Sequence, residues 1–392
     1  MPRAAHVALT VGFLAVISSA GLIQTAAELR QGERPQALEV FRQAPTAKNL
    51  REYERTLQDV SLVARGLRPW AQYAQFAVLA DAGEKALVGR DAWLFYRPGV
   101  EYLTQRPPAP LNPDAAQDPL PAIASFRDQL AARGIRLLVV PVPNKESIYP
   151  EMLSRRAEGA GVVVSRQTRE LLDRLNSAHV ELLDLFVEYR RAKEEQGPSD
   201  AQRLYLAHDS HWSPEGVKRA AQAAARRLVE RGWVVRGNVR YDERTVQCER
   251  LGDVLEMLQV PQLERSIGPE RLACIQVVHR ESAVPYQDAP DAQILVLGDS
   301  FLRIYEKDEP GSAGFIAHLA RELQQPLASM VSDGGASTLV RQDLCRRPDL
   351  LRGKMLVVWE FVERDIRYGT EGWQVVALPP ASVKQTRTPG ED

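Results

Sequence analysis

Hydrophobic and polar positions divide the chain into stretches of different period. Behind Arg3, Val7 to Ile23 form an uncharged run rich in Val, Leu, Ile, Ala and Phe. A run of about 17 residues is short for a membrane span and long for the apolar part of a signal peptide. Residues 1–26 are therefore expected to be a signal anchor or a signal peptide, with Ser18-Ser19-Ala20 offering small residues for cleavage. From Ala27 to about Ala82 the pattern is helical and heavily charged, as in a juxtamembrane arm. Leu87 to Tyr96 reads as a hairpin, with Gly89-Arg90-Asp91 as the turn and Trp93-Leu94-Phe95-Tyr96 as a strand. Pro107, Pro108, Pro110 and Pro113 then exclude regular structure, so 27–117 is read as helical arm and linker.

From 118 to 375 helix and strand periods alternate. Ile123, Phe126 and Leu130 share one helical face and Gly134 stops the helix. Ile135 to Val142 is then a continuous apolar run, as in a strand buried on both faces. A helix near Ser165 to Ala178 precedes a short strand at Val180 to Leu185. Ser213 and Pro214 are a good N-cap and first residue for an alanine-rich helix that ends at Gly232. Residues 233–290 break the rhythm and read as an insertion carrying Gly252-Asp253. Strands at 294–297, 327–331 and 355–361 follow, with helices near Gly314 to Leu323 and Leu339 to Cys345, and 376–392 reads as a flexible tail. Five strands with intervening helices predict an α/β fold of three layers around a parallel sheet.

In such a sheet the carboxyl ends of all strands lie on one edge, where ligands bind. That edge would gather Asn144-Lys145, Gly298-Asp299-Ser300, Asp333-Gly334-Gly335 and Glu360 to Arg364, with Asp209 and His211 arriving from the loop after the second strand. A serine becomes a nucleophile when an imidazole takes its proton and a carboxylate orients that imidazole. Ser300, His211 and Asp209 fill these roles, and in an extended loop residues two apart project to the same side. His208, one residue before the aspartate, is the rival base and should face away. The structural alternatives are helix capping for Asp209 and a capped turn for Ser300.

Composition narrows the partners. The 392 residues are 44% hydrophobic and 26% charged, and 50 Lys and Arg nearly cancel 51 Asp and Glu. No overall basic field points to nucleic acid. Cys248, Cys274 and Cys345 lack metal-ligand spacing, so no metal is expected; in an oxidising compartment Cys248 and Cys274 are the candidates for a disulfide, leaving Cys345 free. No cofactor is expected, since no nucleotide or coenzyme A motif is recognisable.

Gly298-Asp299-Ser300-Phe301, Asp209-Ser210-His211-Trp212, the stretch 141–150, Gly89 to Phe95 and Val357 to Arg364 together resemble the SGNH-hydrolase-like proteins of the alginate O-acetyltransferase type, the AlgJ and AlgX group. The resemblance spans about residues 35 to 375, and the short C-terminal remainder places it nearer the AlgJ branch. It implies periplasmic transfer of acetyl groups to an exported polysaccharide by a Ser-His-Asp triad, near the inner membrane, with a membrane-bound O-acyltransferase as acetyl relay. It also implies circular permutation of the SGNH sheet, because here the Asp-His pair precedes the serine. By the same mapping the oxyanion donors would be Ser300, Gly334 or Gly335, and a third group: Arg364, Asn144 or Lys145. The alternatives are a salt bridge from Arg364 to Glu360 or Glu363, and a surface position for Lys145. An acetylesterase, or a non-catalytic scaffold of an export complex, are the competing functions.

Overall fold

A computed structural model describes residues 3–42, 44–105, 118–195, 202–333, 335–368 and 372–380. The proline-rich stretch 106–117 and the end of the tail, 381–392, lie outside the described residues. The chain divides into two compact units: residues 1–83 with 259–267, and residues 84–258 with 268–392.

The larger unit is built on a five-stranded sheet. Its strands are β3 (Arg136–Val142), β4 (Glu181–Leu182), β7 (Ile294–Gly298), β8 (Ala328–Val331) and β9 (Leu356–Val362), in the order β4-β3-β9-β7-β8. Every pairing is parallel, and Val358 of β9 lies between Leu138 and Val296. All seven residues of β9 and all five of β7 are buried. Helices on both faces explain why these strands are apolar throughout instead of alternating. The expected α/β architecture with a parallel sheet is therefore present.

Local signals account for most element ends. The Ser213 hydroxyl accepts from the Gly216 N–H at 3.1 Å, capping the helix Pro214–Glu230. Asp118 caps Pro119–Ala131 through the Leu120 N–H at 3.1 Å. The second strand departs from expectation. It stops at Leu182 because the Asp184 carboxylate accepts the Phe186 N–H at 3.0 Å and starts a helix at Leu185.

Two boundaries also shift. The hairpin β1 (Ala86–Val88) and β2 (Leu94–Tyr96) belongs to the larger unit, which starts at Glu84 and not at 118. Trp93 and Phe95 are buried in its core, so the hairpin cannot be a separable arm. Similarly, 376–380 is held: the Gln129 side chain donates to the Val376 carbonyl at 2.9 Å and accepts from the Leu378 N–H at 2.6 Å. The insertion is a long antiparallel ribbon, β5 (Tyr241–Arg250) with β6 (Glu270–His279).

On that ribbon Cys274 pairs with Val246 and Cys248 with Leu272, so the two sulfurs meet diagonally, 2.8 Å apart. All three cysteines are free thiols in this structure. Cys345 lies elsewhere, on the helix Leu339–Arg346, with its sulfur against the Ala377 carbonyl. Protein matured under oxidising conditions and denatured without reductant is expected to titrate one thiol, from Cys345; three would rule out the Cys248–Cys274 bridge.

The smaller unit contains the apolar helix Arg3–Arg30, a 3-10 turn at Gln36–Phe41, and the helices Ala47–Val60 and Leu62–Leu79. Among the described residues the first is the one helix long and apolar enough to cross a membrane, a property that a signal sequence shares.

Candidate active site

Strand β7 delivers Ser300 to the carboxyl edge of the sheet. Gly298 is required there: a Cβ would sit 2.3 Å from a Glu360 carboxylate oxygen. Glu360 accepts the Asp299 N–H at 3.2 Å, while Asp299 caps the short helix Ser300–Arg303 by accepting the Phe301 N–H at 2.8 Å. The Ser300 N–H, in the first turn of that helix, has no protein acceptor among the described residues. The loop bearing the histidine is fastened to the same turn. The Trp212 indole donates to the Phe301 carbonyl at 3.1 Å, and the rings of His211 and Phe301 lie 4.6 Å apart.

This brings the three expected residues into one chain of hydrogen bonds. Ser300 Oγ is 2.8 Å from His211 Nε2, and His211 Nδ1 is 2.6 Å from Asp209 Oδ1. His211 is 4% exposed and Asp209 is fully enclosed. Burial would push the Asp209 carboxyl up, but the His211 and Arg250 charges hold it well below the usual range. Burial likewise opposes the charged form of His211, yet Asp209, with help from Asp253, raises the imidazole above an ordinary histidine. His208 faces elsewhere, with Nδ1 3.6 Å from Glu270 Oε1.

Two partners of the triad-like chain carried no assigned role in the sequence. Arg250, at the end of β5, places Nε 2.6 Å from Asp209 Oδ2. Asp253 gives its N–H to the same oxygen at 3.2 Å and its carboxylate accepts from Ser210 N–H and Oγ, both at 2.6 Å. Asp253 Oδ2 also lies 3.5 Å from His211 Nδ1. Gly252 makes this approach possible, with φ of 96° and a missing Cβ that would meet the His208 carbonyl at 2.4 Å. The only sequence signal was the Gly-Asp pair in the insertion, which is also what an ordinary turn contains.

Asp209, His211 and Asp253 have metal-ligating atoms within 4.8 Å of one another. They suit a proton relay better than a metal, because the Asp209 oxygens are already taken by Arg250, His211 Nδ1 and two backbone N–H groups.

The remaining sequence candidates separate. Arg364 lines the cleft with Ser300, His211, Tyr96, Met257 and Asp365, a volume of about 320 Å³. Its guanidinium carbon lies 5.3 Å from the Tyr96 ring and 5.6 Å from the Phe301 ring, and it forms no ion pair among the described residues. The salt bridges considered for it are absent: Glu363 instead accepts from Ser147, Thr168 and the Asn144 N–H. Asn144 is buried and braces the Arg364 backbone, its Oδ1 accepting that N–H at 3.2 Å, so it acts behind the cleft wall.

Lys145 is neither a surface residue nor a substrate ligand. Its ammonium is enclosed and donates to the carbonyls of Leu94, Ala207 and Asp209 at 2.5, 2.9 and 2.8 Å, above the rings of Trp93 and Phe95. Burial lowers it to about 8 against the pull of Glu270 and Asp209. It ties the Asp209 loop to the β1–β2 hairpin. Gly335 is also corrected as a donor: its N–H goes to the Ser332 carbonyl at 3.2 Å, closing a turn. Gly334 lies outside the described residues.

Known proteins share this arrangement of chain. Residues 86–363 match the family described as SGNH hydrolase-like domain, acetyltransferase AlgX. The Pseudomonas putida protein named "Probable alginate O-acetylase AlgJ" is 25% identical over 316 residues, 76% of this chain and 74% of its own length. Its Azotobacter vinelandii namesake is 23% identical with the same coverage. The chain spans about a third of the Pseudomonas aeruginosa namesake, at 26% identity over 157 residues, 36% of that protein and 40% of this one. Among solved structures, the O-acetyltransferase domain of Pseudomonas putida AlgJ superposes with a TM-score of 0.54 at 21% identity, covering 72% of this chain and 92% of that one. Pseudomonas aeruginosa AlgX superposes at 0.51 with 17% identity, over 71% of this chain and 62% of that one. These structures share the fold, and the matched span runs from the hairpin to the residue before Arg364, taking in every strand of the sheet. The chain belongs to the AlgX family of SGNH hydrolase-like domains.

Proposed function

We propose that this chain is an O-acetyltransferase that moves an acetyl group from an activated donor to a hydroxyl of an exported polysaccharide through an acetyl-Ser300 intermediate. The observation that carries the reading is the unbroken hydrogen-bonded chain from Ser300 through His211 to Asp209, opening on a cleft. The names of the AlgJ relatives favour a polysaccharide acceptor of the alginate kind.

In the first half-reaction Ser300 Oγ attacks the acetyl carbonyl carbon as its proton passes to His211 Nε2. The Ser300 N–H and the uncommitted Arg364 guanidinium face the charge that develops on the carbonyl oxygen; each such donor contributes about 3 kcal/mol. Collapse of the tetrahedral species breaks the bond to the donor oxygen, which takes the proton from His211. In the second half an acceptor hydroxyl attacks acetyl-Ser300 as its proton passes to His211 Nε2; the bond from the acetyl carbon to Ser300 Oγ then breaks, Oγ takes the proton back from His211, and the acetyl ester leaves with the serine restored. Asp209 stays ionised throughout, holding His211 Nδ1–H and stabilising the imidazolium.

A periplasm-like compartment offers no acetyl-coenzyme A, so the donor is assigned to a membrane-bound O-acyltransferase, with residues 1–26 keeping the domain near the inner membrane. The purified chain is incubated with a chromogenic acetyl ester with and without candidate polysaccharides. Transfer to a polymer is expected to exceed hydrolysis; vigorous hydrolysis without polymer acetylation would replace this reading by the acetylesterase.

The His211 base must be neutral to accept a proton. Because its neighbours raise it, the acid limb of the activity profile is expected above the usual histidine value, near 6.5 for a free side chain. Asp253→Asn removes one negative charge that favours the imidazolium, so the limb should move to lower pH; an unmoved limb would separate Asp253 from the titration.

A further inference from the structure

In the smaller unit the helix Leu62–Leu79 leaves an apolar side uncovered. At roughly 100° per residue, Leu67, Trp70, Ala71, Ala74, Ala77 and Val78 fall within one sector. All six are exposed, Leu67 by 62%, Trp70 by 61% and Val78 by 79%. Pro69, Tyr73 and Phe76 occupy a different sector and are partly buried, so the helix already has a packed side and the exposed stripe is a second one. The polar border carries Arg68 and Gln75, Arg65 falls on the opposite side from the stripe, and the helix contains no acid.

We propose that this helix lies flat on the bilayer, with the stripe in the lipid and Arg68, at its border, toward anionic headgroups. The inference rests on residues 1–26 being retained as an anchor. The level of the helix argues for lipid as the occupant. The Leu62 N–H donates to Gln24 Oε1 at 2.9 Å, and Gln24, within the membrane-crossing candidate Leu9–Arg30, directly follows the uncharged apolar run Val7 to Ile23. The same amide donates to Glu28 Oε1 at 2.7 Å, fixing its orientation. The start of the helix is therefore tied to the level where the apolar run ends and headgroups begin. An amphipathic helix with a tryptophan on its apolar side and a cation on its border fits that layer. A free apolar stripe of this kind in water is otherwise an aggregation hazard.

The test uses the full chain reconstituted in vesicles of phosphatidylethanolamine and phosphatidylglycerol with brominated acyl chains. Tryptophan emission is compared between the parent and Trp70→Phe, so the difference reports on Trp70 alone. Bromolipid is expected to quench that component by half or more and acrylamide to reach it poorly. Leu67→Glu combined with Val78→Glu should restore acrylamide access. A chain that floats with the vesicles while its Trp70 component resists bromolipid and is open to acrylamide would overturn the inference and leave the anchor standing; this is also the outcome if a protein partner covers the stripe in cells. A chain that does not float overturns both.

Discussion

Ser300→Ala, His211→Ala and Asp209→Ala are each expected to lower acetyl-ester turnover by about a thousandfold or more, and the triple variant by little beyond the worst single one. The three groups act on one proton: Ser300 Oγ lies 2.8 Å from His211 Nε2, whose other nitrogen lies 2.6 Å from Asp209. Removing any member leaves the proton transfer without a donor, an acceptor or an oriented base. His208→Ala serves as control, since His208 turns toward Glu270, and its turnover should stay near that of the parent. Circular dichroism and melting curves check that folding is kept for Ser300→Ala. A Ser300→Ala protein that retains turnover would remove the acetyl-serine step, whatever the other variants do.

Arg250→Met is expected to cost about 3 kcal/mol of stability and a large part of the turnover, although the Arg250 guanidinium pairs with Asp209 and not with the reacting serine. Asp209 is fully enclosed and its Oδ2 receives the Arg250 guanidinium at 2.6 Å. Taking away one partner of a buried pair leaves a charge without compensation, and the remaining donors to Asp209 Oδ2 reduce to the Asp253 N–H at 3.2 Å. The carboxyl would then rise toward its ordinary range and hold the imidazolium less firmly. Arg271→Met on the partner strand is the matched control. Arg271 is 85% exposed and pairs with Glu249 at 3.1 Å, a contact worth about 0–1 kcal/mol. Thermal unfolding and kcat of the two variants decide: Arg250→Met behaving like Arg271→Met would show that the pair does not support the site.

The elements legible without coordinates are those whose cause is local. Buried parallel strands must be apolar at every position, which made Ile135 to Val142 and Ile294 to Leu297 readable as runs. A hydroxyl at an N-cap needs only its own helix, which made Ser213 readable. The convergence of Ser300, His211 and Asp209 followed from one property of parallel sheets, that all carboxyl ends share an edge. Even the orientation of His208 and His211 followed from alternation along an extended loop.

What only the tertiary structure decided depends on which distant segment arrives to cover a polar group. Nothing near Lys145 in sequence reveals that carbonyls of Leu94, Ala207 and Asp209 close around its ammonium. Arg250 finds Asp209 because a ribbon of two ten-residue strands folds back over the loop. The start of the catalytic unit at Glu84 has the same origin, since Trp93 and Phe95 are core residues by virtue of what packs on them. Periodicity and capping are properties of a segment; burial, pairing and the charge state that follows from them are properties of the contact, and those the fold alone supplies.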